Sequence, residues 1–528
     1  MINSPNYSPI EDYQQYIQEI YPDFTPDILS QFCPIVKDTN WDQPETALDF
    51  NNLAVMALIE AEKTEDLSLR SLNLEIALDA INSSENLEKN ELCLAHLAIL
   101  YNSLGEREKA MSIAFPLLLK ILKKAYNYPE NNILGLIYLP PKRGKYNLLG
   151  KKTIKTLLQS NNIYQQSILL LIYVILQTEL FFYSTNGLRW LQLANQIIPE
   201  SISLKIQLGI SNLFNYRYEG LLYLHKAANL KANNFQSIQS IYLAYRSLED
   251  LNIAKFWLET AQKYYKENPQ NIEGFWTSLP LDSPFTYLVY EDNLLLTVEP
   301  SLHSIVTSVL LAQGDWFEQE MELWRSQIQP GMTVIDVGAN VGVYTFSAAQ
   351  KVGASGKVLA VEPFSRCVSY LKETCRINNI SWVKVCAGAA SSQSGKARLA
   401  LNTASELNEI ITDDQESNSA NFEEISCFTL DSLIEEEHLK RVDWLKIDAE
   451  GHEMQVLEGS QRLLEQFAPK ILYENIAGAK TNNIPVAEYL LGKGYKLFRY
   501  RPFLRELIPL NSLNELQGNL NIVALSNT

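Results

Sequence analysis

At 528 residues, 46% hydrophobic and 20% charged, the chain has the apolar content for two or three packed domains and is no disordered polypeptide. A formal charge of −17 excludes the domain-wide basic field by which proteins usually hold nucleic acid. The six cysteines, at 33, 93, 367, 375, 386 and 427, form no C-x-x-C pair and have no histidines at zinc spacing, so they read as reduced, packed thiols.

The N-terminus, Met1-Ile-Asn-Ser-Pro-Asn-Tyr7, lacks the basic and apolar regions of a signal peptide, so the expected address is cytoplasmic. Residues 1–44 form an N-terminal segment, and helical periodicity dominates from 45 to 274. In Leu97-Ala98-Ile-Leu-Tyr101-Asn-Ser-Leu-Gly105, a small residue and an aromatic precede a turn, and a second helix opens toward Ala110. Gly187, Leu191, Ala194 and Pro199 mark another such unit, and Ala194, Ala228 and Ala261 recur at intervals of 34 and 33. The pattern resembles a tetratricopeptide array, in which small residues let paired helices approach and stacking builds a shared core. Its units are degenerate, since Tyr245 fits the aromatic position while Glu249 stands where a turn glycine belongs; a generic α-hairpin array is the other reading. Such an array offers a surface to a protein partner or a large acceptor.

The apolar run Ile168–Leu176 is far short of the about 20 residues that cross a bilayer, and reads as a buried helix with no membrane span. Pro140-Pro141-Lys142-Arg143-Gly144-Lys145 is a basic loop in an acidic protein, either a solvated connection or a docking site for an anionic glycan or phosphate.

A second domain is expected over 275–528. Thr286–Thr297 reads as a hairpin turning at Glu291-Asp-Asn293, and a helix from about Leu302 is interrupted at Gly314-Asp315. Thr333-Val-Ile-Asp336-Val-Gly338-Ala-Asn340-Val-Gly342-Val-Tyr344, followed by a helical stretch and Lys357-Val-Leu-Ala-Val-Glu362, gives strand, glycine turn, helix, strand and acid. That order holds a nucleoside, with Glu362 placed to accept both ribose hydroxyls. A dinucleotide fold would show G-x-G-x-x-G, whereas here Gly338 and Gly342 lie four apart and Asn340 replaces the middle glycine. Asp336 would repel a diphosphate and suits a cationic ligand. S-adenosylmethionine, with its ammonium, sulfonium and ribose, meets those demands, Asp336 facing the amine side and Glu362 the sugar.

Candidate strands at 333–337, 357–361, 382–387, 444–447, 470–474, 496–500 and 519–524 alternate with helices in an α/β, doubly wound, seven-stranded arrangement that suits a class I methyltransferase. A hairpin of Lys396–Leu401 and Ile425–Thr429 flanks the polar stretch Asn402–Asn421, expected to act as a lid or substrate loop. Lys446-Ile447-Asp448-Ala-Glu450-Gly451-His452-Glu453 leaves a strand end in the cleft, and Tyr473-Glu474-Asn475 closes its neighbour. Methylation of a hydroxyl needs in-line positioning and a group that takes the proton. Asp448 ranks first by position, His452 second by its ordinary pKa and Glu474 third. His452 could equally point to water at a helix entry. No metal is assigned, although Asp448, Glu450 and Glu474 would together suit Mg²⁺.

Gly314-Asp-Trp-Phe-Glu318, the turn from Val334 to Thr345, Val361-Glu362-Pro363, Thr429-Leu-Asp431 and Lys446–Glu453 with Val456-Leu457 and Gly459 resemble the FkbM methyltransferase family over about residues 285–527. The resemblance implies S-adenosylmethionine-dependent O-methylation, commonly of sugar or polyketide hydroxyls. It puts the donor on Asp336, Gly338, Asn340, Gly342, Tyr344 and Glu362, and gives His452 no role. An interaction scaffold carrying an inactive methyltransferase domain is the competing reading. A nucleotide-dependent oxidoreductase is disfavoured by the missing third glycine.

Overall fold

The computed structural model describes residues 8–22, 30–87, 90–124, 133–140, 150–178, 185–401, 408–411, 422–476 and 482–526. The basic loop expected at 140–145 lies outside them except for Pro140. The chain divides into two compact units. One comprises Met1–Asn212 with Tyr218–Ala232 and Pro502–Glu506, the other Leu213–Arg217, Asn233–Arg501 and Leu507–Thr528.

Helices dominate the described residues of the first unit. After Pro9–Ile20 and Phe32–Asp38, the helices Ala47–Lys63, Leu67–Leu87, Glu91–Ser103 and Arg107–Lys124 follow one another across connections of three residues each. Thr46 begins the first of these with a capping box, accepting from the Asp49 N–H while the Asp49 carboxylate accepts from the Thr46 N–H. Asn90 caps the third by accepting from the N–H groups of Leu92 and Cys93. Gly105, at φ +80, makes the turn that the sequence pattern assigns it. Five more helices follow, Gly150–Leu158, Ile163–Thr178, Thr185–Ile197, Ile202–Phe214 and Gly220–Leu230. Ala110, Ala194 and Ala228 are buried, as small residues at helix crossings should be. The apolar run 168–176 lies within the helix Ile163–Thr178, and no described helix is long and apolar enough to cross a membrane.

The second unit opens with the helices Phe235–Ser247 and Leu251–Glu267. By periodicity they continue the array, but by packing they belong with the sheet-bearing unit. Gln239 Nε2 donates to Thr286 Oγ1 and to the Tyr287 carbonyl at 2.9 and 3.0 Å, and the Tyr242 ring stacks on Trp276 at 5.1 Å. Glu249, the residue in place of the turn glycine, takes φ +60 itself. The strands β1 (Thr286–Tyr290) and β2 (Leu294–Val298) pair antiparallel, as the hairpin pattern predicts. The helix Ile305–Gln313 stops at Gly314, whose φ of +74 ends it, and Glu320–Gln327 leads into the main sheet.

That sheet comprises β3 (Thr333–Val337), β4 (Lys357–Glu362), β5 (Val383–Ala387), β10 (Trp444–Ile447), β11 (Lys470–Glu474), β12 (Tyr495–Arg501), β13 (Glu506–Pro509) and β14 (Asn521–Ser526). Their order is β13-β12-β14-β11-β10-β3-β4-β5, with β11, β10, β3, β4 and β5 parallel and β14 antiparallel to both neighbours. The expectation of seven strands is corrected to eight. The extra one, β13, is a four-residue edge strand ending in Pro509, too short and too weakly patterned to stand out in sequence. The inner parallel strands are buried on both faces, which is why β3 and β4 read as unbroken apolar runs.

Between β5 and β10 the chain makes a smaller sheet, β6 (Ala389–Ala390), β7 (Gly395–Ala400), β8 (Glu409–Ile411) and β9 (Phe422–Phe428), ordered β6-β9-β7-β8. The expected hairpin is its β7–β9 pair. Within the stretch expected to form a lid, residues 408–411 include β8, and 402–407 and 412–421 lie outside the described residues.

Candidate active site

Register brings four strand ends together. Val337 pairs with Val361 on one side and Ile447 on the other, and Ile447 pairs with Tyr473. Glu362, the 338–342 turn, Asp448 and Glu474 therefore lie side by side at the carboxyl edge of β4, β3, β10 and β11, where open α/β sheets bind ligands.

The turn is held by main-chain bonds and by glycine. The N–H groups of Gly338 and Ala339 both donate to the Val361 carbonyl. Gly338 has φ +76, and a Cβ there would lie 1.6 Å from the Asp448 carbonyl oxygen, so only hydrogen fits. Gly342, at φ +99, precedes the helix Val343–Val352, and a Cβ on it would lie 2.5 Å from the Phe346 ring. Asn340 takes φ +50 and donates its N–H to Glu362 Oε2 at 2.7 Å. Glu362 Oε1 accepts from the Phe364 N–H at 2.8 Å. Two main-chain donors thus aim the carboxylate, leaving lone pairs on both oxygens. Burial pushes its pKa up to about 7, against the pull of those two N–H groups.

Asp336 lies beneath the turn rather than on it. It is fully buried, Oδ2 accepts from Thr345 Oγ1 at 2.6 Å, and Oδ1 has no partner among the described residues. Burial raises its pKa, opposed by Lys446 and Thr345. Tyr344 turns its hydroxyl away to Glu318 Oε2 at 2.6 Å, and Asn521 Nδ2 donates to the same oxygen at 2.8 Å. The Tyr344 ring meets Lys446 Nζ at 4.6 Å from its centroid.

Lys446 organises the other half. Only 3% exposed, its ammonium donates to Asp448 Oδ2 at 2.7 Å. Burial opposes that charge, but Asp448, Asp336 and Glu318 together hold its pKa above the ordinary lysine value. Carboxylate oxygens of Asp448, Glu450 and Glu474 lie within 4.8 Å of one another. Burial, then the carboxylates of Asp448, Glu450 and Glu453, raise the Glu474 pKa above the carboxylate range. This trio is the set that sequence reasoning offered to Mg²⁺, and within it Asp448 is already paired with the Lys446 ammonium.

The loop after Asp448 has its own brace. Glu450 and Gly451 take φ +50 and +93 in succession. Buried Glu453 holds them, its Oε1 accepting from the N–H groups of Ala449 and Gly451 at 3.0 Å each and its Oε2 from Asn483 Nδ2. His452 Nε2 lies 3.0 Å from Ser391 Oγ, outside the carboxylate trio, and burial lowers its pKa. The structure thus brings Glu362, Gly338, Asn340, Gly342, Asp448 and Glu474 to one edge, with Asp336 and Tyr344 in the layer below, and engages His452 elsewhere. Sequence reasoning gave Lys446 no role, although a lysine in the all-buried strand Trp444-Leu-Lys-Ile447 is itself a signal.

A parallel sheet with a glycine turn after its first inner strand and an acid ending the second is the architecture of a class I methyltransferase domain. Residues 336–497, within the second unit, match the model of the methyltransferase FkbM domain. Solved structures give weaker likenesses. A methyltransferase FkbM from Methylobacillus flagellatus KT aligns at 14% identity over 43% of this chain and 54% of its own, TM-score 0.26. The precorrin-6y C5,15-methyltransferase of Geobacter metallireducens GS-15 aligns at 10% identity over 40% of this chain and 87% of its own, TM-score 0.23. An S-adenosylmethionine-dependent methyltransferase from Aquifex aeolicus aligns at 14% over 39% of this chain and 89% of its own, TM-score 0.23. The chain thus spans about half (54%) of the first of these structures, and scores this low add nothing to the argument. Among curated proteins, no sequence matches.

Proposed function

We propose that the second unit is an S-adenosylmethionine-dependent O-methyltransferase acting on a hydroxyl of a glycan or small molecule. The observation that carries this is the placement of Glu362 and Asp448 on the two strands flanking β3, with Gly338 wedged against the Asp448 carbonyl between them. The residues fit the donor. Glu362 is aimed by two N–H groups with lone pairs to spare for ribose hydroxyls, the glycine turn lets a ligand approach main chain, and buried acids favour a cation.

S-adenosylmethionine, when bound, supplies an activated methyl group. Glu362 and the turn orient the nucleoside, and Asp448 accepts the acceptor's hydroxyl proton as its oxygen takes the methyl. Lys446 fixes the Asp448 carboxylate in one orientation. The raised pKa of Glu474 suits it to donate a hydrogen bond to the acceptor. Neutral His452, tied to Ser391, supports the loop wall. The helical unit supplies the docking surface for a partner or large acceptor, and cysteines that form no disulfide among the described residues suit the reducing cytoplasm.

Calorimetric titration with S-adenosylmethionine tests the first step, and no heat at saturating ligand would sink the reading. Glu362→Ala should weaken binding by about 1–3 kcal/mol through lost charge-assisted bonds. With a labelled methyl donor and a panel of hydroxylated glycans, Asp448→Asn should reduce transfer far more than it reduces donor affinity. Equal loss of both would remove Asp448 as base.

A further inference from the structure

The first unit contains a feature that helix packing does not require. Its helices Ala47–Lys63, Leu67–Leu87, Glu91–Ser103 and Arg107–Lys124 are joined by three residues at a time, but 25 residues separate Lys124 from Gly150. Part of that excursion, 133–140, is non-helical, and Leu136–Leu139 are buried in the core. A buried extended segment must find partners for every peptide group, and here they come from side chains.

The pairing runs residue by residue. The Gly135 N–H donates to Gln166 Oε1 at 3.2 Å and its carbonyl accepts from Gln166 Nε2 at 3.0 Å. The Leu136 N–H donates to Asn52 Oδ1 at 2.9 Å, and its carbonyl accepts from Asn51 Nδ2 at 3.1 Å. Tyr13 Oη accepts from the Ile137 N–H at 3.0 Å and donates to the Ile137 carbonyl at 3.3 Å. The Tyr138 N–H donates to His96 Nε2 at 3.1 Å, which leaves Nδ1 to donate to Asn51 Oδ1 at 2.9 Å. Tyr16 Oη accepts from the Leu139 N–H at 2.6 Å and donates to its carbonyl at 3.0 Å. Burial pushes the His96 pKa down to about 3, which keeps Nε2 an acceptor.

Six polar side chains from four helices therefore converge on the main chain of five successive residues. The first position is read by size, since a Cβ on Gly135 would lie 2.5 Å from Leu92 and 2.9 Å from both Asn51 and Leu48, and the next four side chains are buried in the core. Polar groups on helices that merely pack together pair with each other or with neighbouring backbone. A ladder aimed at an extended strand is how a receptor grips a peptide, with main-chain bonds giving affinity and a few pockets giving selection.

We infer that the helical unit is a receptor for an extended peptide recognised through its main chain, and that residues 135–139 are its occupant supplied in cis. The partner that fits is an extended apolar strand led by glycine. This inference is independent of the methyl-transfer reading.

The test uses the full chain with one protease site inserted within 126–131 and another within 142–148, so that cutting leaves the occupant held without covalent links. A fluorescein-labelled peptide of the sequence 133–140 should then enter the folded cut protein saturably, while the uncut chain takes none. A copy N-methylated at the positions of Leu136, Ile137 and Leu139 should bind more than tenfold less well. Gly135→Val in the uncut chain should expel the occupant and open the groove to the labelled glycine-led peptide. The inference is overturned if the cut protein refuses the peptide, if N-methylation makes no difference, or if cutting destroys the helical circular-dichroism signal and added peptide does not restore it.

Discussion

Replacing Gly338 with alanine separates backbone strain from lack of space. At φ +76 any side chain costs about 1–2 kcal/mol for the left-handed conformation alone. A Cβ 1.6 Å from the Asp448 carbonyl oxygen cannot be relieved by a rotamer change, because the obstacle is main chain at the end of β10. Forcing the strand ends apart adds the about 1–3 kcal/mol of an overpacked core, for a total of about 2–5 kcal/mol. Gly494 is the control, since its φ of +85 carries similar strain with nothing within 4 Å of the added carbon. At about 2 °C per kcal/mol for a domain of this size, Gly338→Ala should lower the melting temperature by about 4–10 °C and Gly494→Ala by about 2–4 °C. Both are read by differential scanning fluorimetry, alongside calorimetry with S-adenosylmethionine, whose binding only Gly338→Ala should impair. Equal melting shifts in the two variants would refute the claim that the turn and β10 are packed to contact.

Because Glu362 binds ribose best when ionised and titrates near pH 7, donor affinity should rise about tenfold per pH unit below 7 and level off above it. Glu362→Gln should flatten that profile in pH-dependent calorimetry. The same raised pKa makes the folded state hold a proton that the unfolded chain releases, so this group's contribution to stability falls between about pH 4.5 and 7; denaturant titrations of the Gln variant should lose that slope. Glu249→Gly should stabilise the helical hairpin by about 0.5–1 kcal/mol, relief of the strain at φ +60 outweighing the added freedom of glycine, as a shift in urea midpoint.

The donor half of the site was legible because its signals are local. Apolar parallel strands, two glycines at fixed offset and a strand-ending acid fall within 30 residues, and register turns them directly into neighbours. Asp448 and Glu474 were legible for a related reason, as acids ending inner strands. Lys446 was not, since beyond its neighbour Asp448 it also answers Asp336 and Glu318, carboxylates more than 100 residues away in sequence. Its presence in a buried strand could have raised the question without naming the partners. Periodicity found the helices at 235–267, and the contacts of Gln239 and Tyr242 with 276–287, which periodicity does not show, join them to the sheet-bearing unit. The ladder around Gly135 was invisible because no motif links Tyr13, Asn51, His96 and Gln166.

The ammonium of Lys446 is outnumbered by the acids around it, Asp336, Asp448 and Glu318. The floor of the cleft therefore keeps a negative potential that does not depend on mobile side chains. For the proposed donor this creates a one-way preference. A sulfonium is attracted to that floor, and the neutral thioether left behind after transfer is not, so reaction removes the charge that favoured binding. Transfer therefore weakens the hold of these fixed charges on the ligand left in the cleft.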